Sequence, residues 1–105
     1  MSRSYSQEFV DYVTKTERES AGIDLARLCI KANLPAAFVA QFLGVSRMTV
    51  YTWFRGEKLR FKNMLMVESL TARIQKDLDA GRLPVDNKKG AKAYLEELGM
   101  QNKQE

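Results

Sequence analysis

A chain of 105 residues, 45 % hydrophobic and 29 % charged, has the size and balance of one globular domain with a single modest core. With no histidine and one cysteine it excludes imidazole bases, Ser-His triads, His-ligated metals, an internal disulfide and a Cys-rich zinc site. The net charge of +4 favours a polyanionic partner only where it is concentrated, so its position along the chain matters more than its size.

The apolar spacing predicts helix almost throughout. Phe9, Tyr12 and Val13 predict a short amphipathic helix near 5–16, with Ser4 and Gln7 as its capping box. The polar stretch Thr14 to Ser20 interrupts the pattern. Leu25, Leu28, Cys29 and Ala32 then recur at i, i+3, i+4 and i+7, one face of a second helix. Asn33-Leu34-Pro35 ends it and starts the next, because the proline ring blocks continuation but suits a first helical turn. Phe38, Val39, Phe42 and Leu43 crowd one side of a helix over about 36–42, which Gly44 breaks. Ser46 is placed to cap a helix whose apolar side is Val50, Trp53 and Phe54, with Gly56 at its end.

From Asn63 to Ala80 the stripe Val67, Leu70, Ile74 and Leu78 predicts a longer helix closed by Gly81. Pro84 separates it from a last helix, capped by Asp86 or Asn87, with Ala91, Tyr94, Leu95 and Leu98 on one face and Gly99 as its stop. The tail Gln101–Glu105 is expected to fray. No segment alternates with period two. The expectation is an all-α domain of about six helices: an N-terminal helical extension (1–20), a core (21–81), and a C-terminal helix with its tail (82–105). Met1–Glu8 lacks the apolar stretch of a signal peptide, and no apolar run approaches the ~18 residues of a membrane span, so a cytoplasmic protein with no membrane partner is expected.

The charge is concentrated. Between Ser46 and Lys62 lie Arg47, Arg55, Lys58, Arg60 and Lys62 against Glu57 alone, a net +4 in seventeen residues; the rest of the chain sums to zero. This basic window coincides with the stretch Pro35 to Gly56. There Ala40 is small where two helices approach, Gly44 supplies a positive φ for a tight turn, Val45 plugs into the core, and Val50 and Trp53 hold the second helix against the first.

Ala40, Gly44, Val50 and Trp53, with the Ser46-Arg47-Met48-Thr49-Val50-Tyr51 start and the Trp53-Phe54-Arg55-Gly56 ending, resemble the DNA-binding helix-turn-helix of the phage Cro and repressor family. The resemblance spans roughly Leu25 to Leu70, and Leu34-Pro35-Ala36 lacks the polar cap and glutamine with which many relatives begin. It implies that the helix over about 46–55 enters the major groove of double-stranded DNA. With Val50, Trp53 and Phe54 inward, Arg47, Met48, Tyr51 and Thr52 face outward as base-reading candidates. Arg47 can fork onto guanine O6 and N7, and Met48 and Thr52 can meet thymine methyls. Ser46, Arg55, Lys58, Arg60 and Lys62 are phosphate-contact candidates.

One such helix reads roughly four base pairs, and the family's remedy is a twofold homodimer. Leu70, Ile74 and Leu78, with Tyr94, Leu95 and Leu98, are the candidate contact residues, or else they complete the monomer's own core. The function expected is a sequence-specific transcriptional regulator of phage or bacterial repressor type, acting in a bacterial cytosol or nucleoid, or a host cytosol. Two rivals use the same fold: a protein–protein adaptor acting on host transcription machinery, and an accessory DNA-binding factor of a recombination system. Nothing points to an enzyme, a cofactor, a metal or a small-molecule effector. Trp53 and Cys29 read as core residues, and Lys88, Lys89 and Lys92 as a solvated face beside Glu96 and Glu97.

Overall fold

The computed structural model describes residues 5–103, with the side chains of residues 5–100. Six helices follow in order: α1 (Gln7–Lys15), α2 (Ala21–Ala32), α3 (Ala36–Leu43), α4 (Arg47–Phe54), α5 (Phe61–Asp79) and α6 (Lys88–Lys103). No strand occurs among the described residues. The fold is the all-α one that the spacing predicts. No described helix is long and apolar enough to cross a membrane.

Side-chain oxygens start most of these helices. Ser6 accepts the Phe9 N–H at 3.2 Å, Ser20 accepts that of Ile23 at 3.1 Å, and Ser46 accepts that of Thr49 at 3.0 Å. Asn87 rather than Asp86 serves α6, through the Gly90 N–H at 2.9 Å. The capping box expected at Ser4 and Gln7 is not the device used. Gln7 is itself the first helical residue and bonds Asp11 on the next turn, and Ser4 lies outside the described residues.

Helix ends share another device. Asn33, Gly44, Gly56 and Gly81 take left-handed backbone, and the N–H groups there return to carbonyls of the closing turn. Gly99 does not stop α6, which runs on to Lys103. A glycine inside a helix costs about 1 kcal/mol against alanine and is tolerated. Leu98, 5 % exposed, keeps that turn docked on the core.

At the centre is α2, whose Ile23, Leu25, Ala26, Cys29 and Ala32 are fully buried. It packs against α5, α4 and α1, while α3 packs against α4 and α6. Tyr5 and Val13 from the first segment and Ala91, Leu95 and Leu98 from the last join one hydrophobic cluster with the middle of the chain. The Val85 N–H bonds the Ala32 carbonyl at 3.1 Å and the Asn33 amide bonds the Val85 carbonyl at 3.0 Å, which ties the link before α6 to the end of α2. The Cα radius of gyration, 12.9 Å, is that of a single unit of this length. Burial pushes the Cys29 thiol up to about 12, partly offset by the Tyr5 hydroxyl beside it, so it is an inert core thiol.

Asp77 is the one buried charged residue described, 1 % exposed on α5. Its carboxylate accepts from Tyr94 Oη at 2.6 Å, Arg73 Nε at 3.0 Å and Arg82 Nη1 at 3.4 Å, joining α5, the following link and α6. Burial raises its pKa, but the Tyr94 bond and the two arginines outweigh this and hold it below the usual carboxylate range. Such a group stabilises the fold above the unfolded carboxyl pKa of about 4. That contribution is lost as pH falls through the lower folded value. Asp77→Asn should therefore flatten the acid limb of a stability-against-pH profile, and an unchanged limb would contradict this role.

Gly22, in the first turn of α2, faces α4 at very short range. A Cβ there would sit 2.2 Å from the Trp53 carbonyl oxygen. Gly22→Ala should destabilise the protein by about 1–3 kcal/mol through overpacking, read as a lowered denaturation midpoint.

Candidate nucleic-acid interface

The pair α3 and α4 is joined by the three residues Gly44, Val45 and Ser46. Gly44 has φ +75°, which a side chain would strain. The Val45 N–H bonds the Ala40 carbonyl at 3.0 Å, and Val45 itself packs half-buried against the core. Val50 and Phe54 are fully buried and Trp53 is 4 % exposed, so α4 has one inward face and one outward face. Trp53 is a core residue.

On the outward face Arg47, Thr52 and Met48 are exposed, Met48 to 79 %. Thr52 donates its hydroxyl to the Met48 carbonyl at 2.9 Å, so toward a ligand it presents lone pairs and its methyl group. Ser46 Oγ is occupied by the Thr49 N–H and lies 2.7 Å from Thr49 Oγ1. What it offers an anion is the ordered first turn of α4 more than its own hydroxyl.

Tyr51 departs from the expectation of a freely outward side chain. It is half-buried, with its ring edge-on to Phe9 at 5.5 Å and to Tyr5 at 6.5 Å, and it contacts Phe54 at 6.1 Å. The cause is the N-terminal segment, where Phe9 of α1 and Tyr5 just before that helix lie against α4. The spacing within α4 shows that Tyr51 is off the Val50–Trp53 face, but not that another helix covers it.

The same N-terminal segment caps the far end of α4. The Arg55 carbonyl accepts from Tyr12 Oη at 2.9 Å and from Arg18 Nη1 at 3.1 Å. Arg18 is thereby brought beside the basic window, an addition that a separation of 37 residues hides from any local motif. Arg55, Lys58, Arg60 and Lys62 are all exposed. Among the described residues, none of them and neither Arg47 nor Arg18 is in an ion pair, whereas Arg27, Arg73 and Arg82 are. Between Arg60 and Lys62, Phe61 is 75 % exposed, an aromatic ring among cations that apolar periodicity does not single out.

The residues expected to join two copies are placed differently. Leu70, Ile74, Leu95 and Leu98 are between 0 % and 5 % exposed, Leu78 is half-buried against the same cluster, and Tyr94 is bonded to Asp77. They complete the protomer's core because α5 must cover α2 and α6 must cover α3. In comparisons with known proteins, no family model, no curated protein and no solved structure matches this chain.

Tyr51→Phe should leave the denaturation midpoint nearly unchanged, whereas Tyr51→Ala should cost about 2 kcal/mol by emptying the aromatic cluster. Equal and negligible effects from both substitutions would show that the ring does not buttress α4.

Proposed function

We propose that this chain is a sequence-specific double-stranded-DNA-binding regulator of transcription, repressor-like, working in the cytosol as a homodimer. It acts by occupying DNA, without chemistry. One observation carries the reading: the exposed face of α4 is followed in the chain by exposed Arg55, Lys58, Arg60 and Lys62, and these cations have no acidic partner among the described residues. Elsewhere in the same molecule arginines are neutralised by Asp77 or Asp24. Exposed cations left unpaired just after a helix with one exposed face suit a polyanion with a groove.

The roles divide by position. Arg47 and Met48 lie in the first turn of α4, the part that approaches base edges when such a helix enters the major groove. Arg47 takes guanine, Met48 and the Thr52 methyl take thymine methyls, and Arg55, Lys58, Arg60 and Lys62 take phosphates. Tyr51 supports α4 from α1 and contributes at most its solvent-facing edge.

The test is selection from a random duplex pool at two salt concentrations, followed by affinity measurements. An enriched motif is expected, with log K falling against log salt at a slope of about −4 per protomer. Arg47→Ala should weaken binding about tenfold to a hundredfold and relax preference at one position. Lys58→Ala or Arg60→Ala should weaken all sequences alike and reduce the slope by about 1. No enriched motif, or an Arg47→Ala variant with unchanged preference, would remove the proposal. Binding of another protein that is indifferent to Lys58, Arg60 and Lys62 would favour the adaptor reading instead.

A further inference from the structure

Two arginines bond to the N-terminal part of the chain or lie within it, and they are used differently. Arg27 spends its whole guanidinium inside the protein: Nε reaches the Val13 carbonyl at 3.4 Å, Nη2 the Thr16 carbonyl at 3.3 Å, and Nη1 the Asp24 carboxylate at 3.7 Å. Arg18, in the link between α1 and α2, spends one nitrogen. Its Nη1 donates to the Arg55 carbonyl at 3.1 Å, and its Nε and Nη2 have no partner among the described residues. Glu17 and Glu19 flank it in the chain and Glu57 follows Gly56, yet none of them forms an ion pair with it.

The unused edge is held in place. The Arg18 N–H bonds Thr16 Oγ1 at 3.2 Å, which fixes the backbone. The side chain then runs across Gly56, where an added Cβ would lie 3.5 Å from both Arg18 Cδ and Arg18 Nη1. The Arg55 carbonyl does not depend on this arginine for a partner, because Tyr12 Oη donates to the same oxygen at 2.9 Å. Attraction to the negative end of the α4 dipole accounts for where the guanidinium lies, but it leaves the Nε–Nη2 edge unused. That edge is the one with which a guanidinium grips two oxygens of a single phosphate or carboxylate. Arg55 and Lys58, exposed and unpaired among the described residues, follow the same end of α4, so the local field selects an anion of several charges, as a nucleic-acid backbone is.

We infer that Arg18 is a phosphate-binding residue of the nucleic-acid interface. Tied by Nη1 to the C-cap of α4, it takes one backbone phosphate of the duplex on its Nε–Nη2 edge. The protein has already ordered the guanidinium, so the contact costs little side-chain entropy. It fixes that end of α4 against the sugar–phosphate chain, as phosphate contacts fix register. The inference deepens the proposed function and rests on it for the polyanion, but not for sequence preference.

The test is the salt dependence of binding to two duplexes, one of mixed sequence and one selected from a random pool, measured beside denaturation midpoints. Arg18→Gln keeps an amide donor but neither the charge nor the fork. It should weaken binding about tenfold at low salt and reduce the slope of log K against log salt by about 1 on both duplexes, with base preference kept. Arg18→Lys should keep the slope and lose about threefold to tenfold in affinity. Tyr12→Phe, which removes the other bond to the Arg55 carbonyl, should leave the slope unchanged whatever it does to the midpoint. An Arg18→Gln slope equal to that of the wild type overturns the inference even where affinity falls, because Arg18 then acts only on the fold. If Lys58→Ala and Arg60→Ala still reduce the slope in that case, the proposed function stands without this contact. Duplex binding with no enriched motif, but with the Arg18→Gln slope reduced, upholds the contact and removes the sequence-specific reading. Failure to bind either duplex removes both.

Discussion

Everything in this molecule depends on how α4 is held. Eight residues are too few to stay helical in water by themselves, since a nucleus costs more than two turns return. The helix exists because Val50, Trp53 and Phe54 are buried against α2 and α3, and because Gly22 lets the Trp53 backbone come closer than any side chain would permit. That same burial decides which residues are left outside. Arg47, Met48 and Thr52 are exposed because the opposite side of a short helix is fully committed.

The N-terminal segment completes this arrangement. Tyr5 and Phe9 pack against Tyr51 and Phe54, while Tyr12 and Arg18 take up the Arg55 carbonyl at the helix end. Both ends of α4 are thus fixed, the first by Ser46 and the last by α1 and its following loop. A contact surface built on a rigid element presents its side chains at defined spacing, which sequence-specific recognition needs. The charge distribution follows the same division of labour. Arg73 and Arg82 serve structure at Asp77, and the cations after α4 are left to solvent or to a ligand.

Much of this was legible in the sequence because it is local. Helical periodicity located all six helices, Gly44 and Ser46 located the turn and the start of α4, and the spacing of Val50 and Trp53 separated its two faces. What was not legible depends on which helix lies against which. Gly22 looks like any glycine near a helix start until Trp53 is found against it. Tyr51 reads as outward until α1 covers it. Leu70, Ile74, Leu95 and Leu98 form stripes equally suited to a second copy or to the chain's own core, and the fold uses them for the core. Gly99 carries the ordinary stop signal of a helix, but the docking of Leu98 overrides it. Asp77, Tyr94 and the two arginines are a tertiary arrangement with no sequence signature.

The central claim, that the outer side of α4 meets a DNA groove, is most directly measured by nuclear magnetic resonance during titration with a selected duplex. The Met48 methyl and the amides of Arg47 and Thr52 should shift strongly, followed by those of residues 55–62, while buried Val39 and Ile74 stay nearly still. Saturable binding that leaves Met48 and Arg47 unmoved, or that perturbs a different face of the molecule, would contradict it.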